Sequence, residues 1–137
     1  MEKFLKSLNN VNFTVEKMPN TEIRYRFKID ENTIYSITKS GEYPAWQNSH
    51  YHKECKEIYY VQKGNMKIIT KENNYVYCRL LNKGDKIVVD EEISHNIFLY
   101  KDTEICVLKY GNVLNTNWYS DIDLDIMCKD FDVGMVK

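Results

Sequence analysis

The sequence predicts an all-β domain, a sandwich or barrel of about nine short strands. Three observations carry this. Runs rich in Ile, Val, Tyr, Phe and Thr recur at short spacing through the middle of the chain. Turn residues separate them, at Asp30-Glu31-Asn32, Lys63-Gly64-Asn65, Glu72-Asn73-Asn74, Lys83-Gly84-Asp85 and Tyr100-Lys101-Asp102. No helix-length periodic segment lies between the runs, as an α/β fold would require.

The strands are expected at residues 22–29, 33–38, 49–52, 57–62, 66–70, 75–81, 86–89, 95–100 and 104–110. The first of these alternates cleanly. Ile23, Tyr25, Phe27 and Ile29 take one face, and Arg24, Arg26 and Lys28 the other. That pattern reads as a strand with one solvated face. The sharper alternative puts one arginine at the mouth of a barrel, where it would hold a substrate carboxylate or phosphate. Arg79, sharing a face with Tyr75 and Tyr77, has the same two readings. Two segments suggest packing helices. Residues 1–8 carry Phe4, Leu5 and Leu8 at helical spacing, and Ser120 could cap a short helix through Ile122, Leu124, Ile126 and Met127. Asp121 and Asp123 would then complement its positive end.

With 137 residues the chain is expected to be one domain, 1–137, large enough for a core without staples. A net charge of -1 and only three arginines argue against a nucleic-acid surface. No apolar run is long enough to span a bilayer, and the N-terminus lacks the pattern of a secretory signal. The four cysteines, Cys55, Cys78, Cys106 and Cys128, form no Cys-x-x-Cys pair, which fits free thiols in a reducing cytoplasm. Cys78 and Cys106 read as small core residues, and Trp46 and Trp118 as core or interface anchors.

The chemistry concentrates in His50-Tyr-His52, two of the three histidines in the chain. Residues two apart on a strand share a face at a separation of about 7 Å, so both rings can address one ion. Glu57 opens the next β-run after the turn-like Lys53-Glu54-Cys55-Lys56, and a bend there would return its carboxylate to the same point. Cys55 lies in that turn, which argues against its coordinating. His95 begins a later strand whose alternate residues Ile97 and Leu99 read as core-facing. By alternation from Glu57, Tyr59 and Val61 point inward and Tyr60 outward. An inward Tyr59 could supply a proton or hydrogen-bond a substrate, or serve as packing. Asp121-x-Asp-x-Asp125 lacks both the turn glycine and the closing glutamate of a calcium loop.

In order and spacing, His50, His52, Glu57 and Gly64, followed by Gly84 and His95, resemble the two motifs of the cupin superfamily. The likeness is to its small, single-domain, metal-binding members and covers roughly residues 46–110. The chain departs from the family pattern where Asp90 and Glu92 replace a Pro-x-Gly turn, Leu99 an asparagine, and Pro44 a glycine. The resemblance implies a jelly-roll barrel in which His50, His52, Glu57 and His95 bind one divalent ion. Three imidazoles and a carboxylate suit Fe, Mn, Ni, Co or Zn. It further implies an enzyme acting on a small polar molecule, by dioxygenation or by isomerisation, epimerisation or elimination, with Glu57 or Tyr59 moving a proton. A metal-dependent sensor or carrier without turnover is the alternative. A homodimer is a further implication of the resemblance.

Overall fold

The structure, a computed structural model, describes residues 12–130. The helix expected over residues 1–8 lies outside them. Eleven strands form two antiparallel sheets. They are β1 (Asn12–Lys17), β2 (Ile23–Asp30), β3 (Thr33–Lys39), β4 (His50–Tyr51), β5 (Cys55–Lys63), β6 (Asn65–Glu72), β7 (Tyr75–Asn82), β8 (Lys86–Val89), β9 (Ser94–Leu99), β10 (Glu104–Gly111) and β11 (Tyr119–Ser120). One sheet runs β1-β2-β3-β10-β5-β8 and the other β11-β4-β9-β6-β7. Each expected strand is present, with its ends moved by a residue or two.

The sheets face each other over a core of Tyr59, Val61, Met66, Ile68, Leu99 and Ile105, with Val89, Ile97 and Val107 around them. Alternation places these side chains. Tyr59 and Val61 point in while Tyr60, between them, points to solvent. β9 is buried at every position, from Ser94 to Leu99, because it is covered on both faces. Its outer cover includes α1 (Ile122–Lys129), whose Leu124 and Cys128 pack on Ile69 with Trp46 and Val76 alongside.

The helix cap is Asp121, not Ser120. Asp121 accepts from Leu124 N at 3.0 Å, while Ser120 is held in β11 opposite His50. Both residue types cap well, and strand pairing decides between them. Cys78 is exposed, not in the core, and lies on the edge strand β7. Cys106 is half-buried, and all four thiols are free. Gly64 turns β5 into β6 at φ +76°, where a Cβ would stand 2.4 Å from Thr103 Oγ1. No helix is long and apolar enough to cross a membrane among the described residues.

Candidate metal centre

Three neighbouring segments bring the histidines together. β4 is only two residues long and pairs with β9 so that His50 stands opposite His95, their ring centroids 4.5 Å apart. His52 lies just beyond β4, its ring centroid 4.8 Å from that of His50. Glu57, on the inward face of β5, completes the group. One ligand atom from each of His50, His52, Glu57 and His95 lies within 4.8 Å of the others. All four metal ligands inferred from the sequence therefore converge.

The hydrogen bonds fix which nitrogen faces inward. His50 Nδ1 donates to Asn48 O at 2.8 Å, His95 Nδ1 to Ile93 O at 2.9 Å, and His52 Nδ1 to Asn117 O. A carbonyl can only accept, so each Nδ1 carries a proton and each ring turns its Nε2 toward the others. Such backbone anchoring is the usual support of metal-binding imidazoles.

Glu57 Oε1 stands 3.0 Å from His95 Nε2 and 3.4 Å from His52 Nε2. Glu57 Oε1 and His95 Nε2 are buried and have no hydrogen-bond partner. Acceptors thus face one another at contact distance, an arrangement that requires positive charge between them. Two ligands each about 2.1 Å from one ion and at right angles would stand about 3.0 Å apart. The donor set and its spacing fit a divalent transition metal.

Electrostatics divides the four residues. Burial lowers His50 to about 3, with the neighbouring His95 adding to the effect, so its ring is neutral across the physiological range. Burial also lowers His52, partly offset by the Glu57 carboxylate. Burial opposes charge on both members of the His95–Glu57 pair, yet each sustains the other. His95 is raised by Glu57, and Glu57 is held well below the usual carboxylate range by His95 and His52. Without a metal ion, the Glu57 carboxylate favours a proton on His95 against the burial that opposes it.

Around the ligands stands a supporting layer. Tyr59 Oη donates to Glu57 Oε2 at 3.3 Å, and burial together with Glu57 pushes its phenol well above the ordinary value. Asn117 accepts from His52 through its carbonyl. Its side chain accepts from Lys53 N at 2.9 Å and donates to Asn112 O at 2.7 Å, closing residues 112–118 over the site. Trp118, expected as an anchor of core or interface, is 44% exposed and stacks on His50 at 5.1 Å and 23°. Neither Asn117 nor Trp118 was identifiable as a site residue from the sequence, because their contacts lie more than sixty positions away. Ser49, next to His50, donates its N–H to Asp125 Oδ1 at 2.7 Å, so α1 helps hold β4. Cys55 is buried and directs its thiol to Lys56 O, away from the ligand group.

The turn before His95 forms despite its departures from the family motif. Glu92 occupies the glycine's place at φ +61°, and its N–H donates to His52 O at 2.7 Å. The ligands open onto a cavity of about 260 Å³ walled by β2, β3, β5 and β10. Arg24 and Arg26 line it, so this face of β2 fronts the cavity rather than open solvent. Its apolar residues are the outward ones, Ile29 being 55% exposed.

The chain is a two-sheet β fold with three imidazoles and one carboxylate meeting inside it. Solved structures agree on the fold. KdgF from Halomonas sp. superposes with a TM-score of 0.60 at 18% identity, covering 73% of this chain and 86% of that one. Oxalate decarboxylase from Bacillus subtilis, in a structure concerned with its Mn(II) centres, gives 0.64 at 16% identity over 81% of this chain. A variant of that enzyme with one tryptophan replaced by phenylalanine gives 0.66 at 15% over 89%. Both neighbours are cupins, and the chain spans about a third of the oxalate decarboxylase length, 30% and 35% in the two structures. No protein-family profile matches the chain, and no curated protein does.

Proposed function

We propose that this chain is a metal-dependent enzyme that moves a proton on a small polar molecule, in an isomerisation, epimerisation or elimination. The observation that carries this reading is the placement of the ligand group. His50, His52 and Glu57 line a cavity that suits a small ligand, and Tyr59 lines it too, its hydroxyl bonded to Glu57 Oε2. A divalent ion held by His50, His52, Glu57 and His95 would supply Lewis acidity at that end of the cavity.

The chain's own groups do the rest. Tyr59 stays protonated at neutral pH, so its Oη acts as a hydrogen-bond donor in the cavity and not as a base. Glu57 Oε2 orients that hydroxyl while Oε1 faces the histidines. Trp118 and residues 112–118 shield His50 and His52 from bulk water.

The test is turnover of a panel of small hydroxy- and keto-acids by metal-loaded protein under anaerobic conditions. Product without oxygen, lowered about 10²–10⁴-fold in Tyr59→Phe at unchanged metal content, supports the reading. Oxygen consumption by the Fe-loaded protein would point to dioxygenation instead. Saturable binding with neither would leave a ligand-binding module.

A further inference from the structure

The cavity has a second chemical character away from the ligands. Strand register sets it out. One row crosses the sheet from Glu57 on β5 to Lys109 on β10 and Ile34 on β3. The next runs from Tyr59 through Val107 and Ser36 to Arg26 on β2, and Arg24 stands two residues before Arg26, on the same face. All three cationic side chains line the cavity. Three strand spacings, about 14 Å of sheet, separate β5 from β2. The metal ligands and the two arginines therefore occupy opposite ends, with Lys109 between them.

These cations are poorly matched by the protein. Arg24 reaches Glu16 Oε1 at 3.5 Å, a half-exposed carboxylate, and Thr38 Oγ1 at 3.4 Å. Among the described residues, Arg26 and Lys109 have no ion-pair or hydrogen-bond partner. Among the described residues, the single carboxylate lining the cavity is Glu57, which is committed to the histidines. Burial lowers both Arg26 and Lys109, and Arg24 lowers Arg26 further, so each would gain from an incoming negative charge. A chain of net charge -1 thus gathers three of its cations on one wall.

We infer that the arginine end of this cavity is an anion subsite, and that the ligand carries a carboxylate or phosphate group gripped by Arg24, Arg26 and Lys109. This deepens the function proposed above by naming the charge class of the molecule, with the anionic group at the β2 end and the polar head toward the histidines. Arginine's planar fork suits both anions, which makes a charge-assisted pair the natural contact.

Calorimetric titration of the full chain with succinate, inorganic phosphate and neutral succinamide tests this, in chelator-treated and in metal-loaded protein. The expected result is single-site binding of succinate or phosphate that persists after chelation, with succinamide at least about tenfold weaker. The tighter of the two anions identifies the group. Arg26→Gln should weaken the anion at least about tenfold and Arg26→Lys less, while Arg79→Gln, on the outer edge strand, leaves it within about twofold. Metal content by elemental analysis should be unchanged in all three. Relief of repulsion should leave the melting temperature of Arg26→Gln equal to or above that of the parent.

Equal affinity for succinamide overturns the inference, as does anion binding unaffected by Arg26→Gln. Anion binding that appears only with metal bound also overturns it, since the ion alone would then be the receptor. Loss of metal in His52→Ala with anion binding intact would separate the two sites, so failure of either proposal is visible without the other.

Discussion

Metal binding should expel up to about one proton, and the structure assigns most of it to His95. Loading the chelated protein with one divalent ion at pH 7 replaces whatever protons the four ligands hold. An unperturbed imidazole, with a pKa near 6.5, is about one-quarter protonated at that pH. His95 is raised above this value by Glu57, against the opposing effect of burial, so it contributes more than a quarter of a proton. His50, at about 3, contributes none. His52, lowered by burial, contributes less than a quarter, and Glu57 is already ionised. Release should fall between about one-quarter of a proton and slightly more than one. Titrating Co(II) in two buffers of equal pH but different protonation enthalpy gives the count from the slope. Because the metal-bound state holds fewer protons, affinity should rise with pH through the His95 titration and weaken as pH falls. His50 joins the competition only near pH 3. A count of zero, or of two and more, would refute the assignment of the positive charge to the His95–Glu57 pair.

Two further outcomes follow from single residues. Glu92 at φ +61° carries a backbone cost of roughly 1–2 kcal/mol that glycine would relieve, against roughly 0.5–1 kcal/mol of added unfolded-state entropy. Glu92→Gly should therefore raise stability in urea by up to about 1.5 kcal/mol at an unchanged m-value, and a loss would show that the Glu92 side chain makes a compensating contact. Trp118→Ala removes the ring stacked on His50 and should weaken metal affinity about 10–100-fold in chelator competition, with the fold intact by circular dichroism. An unchanged affinity would reduce Trp118 to a surface cover.

What the sequence revealed and what it hid follow one division. Strands whose alternate residues are apolar and inward, such as Tyr59 and Val61 on β5, were legible because periodicity reports a face directly. The cluster was legible because His50, His52 and Glu57 sit within eight residues and His95 lies near the start of a strand beside them. β1 was missed because its six residues, NFTVEK, carry only two large apolar side chains, Phe13 and Val15. β11 is two residues long and exists only by pairing with β4. Cys78 was misplaced because alternation cannot tell an edge strand from a central one. Asn117 and Trp118 depend on chain closure across more than sixty residues, which no local pattern encodes.

The case of β2 shows why hydrophobicity alone mislabels a strand that lines a binding cavity. Alternation correctly separated Arg24 and Arg26 from Tyr25 and Phe27, and the error lay in taking the apolar face as inward. That assumption holds where the interior is a solid core, as it is around Met66, Ile68 and Leu99, all fully buried. It fails toward the cavity end of the same barrel, where Ser36, Thr38 and the two arginines face an open volume. Three like charges around one cavity repel one another and lose hydration, so this wall opposes folding rather than assisting it. A departure of that kind from ordinary patterning is expected where a ligand compensates it, and such departures concentrate at functional sites. The inverted strand is therefore itself a signal. In a β-barrel with an internal ligand group, a basic row opposite that group says more about the charge of the ligand than the histidines do, because the histidines specify only the ion.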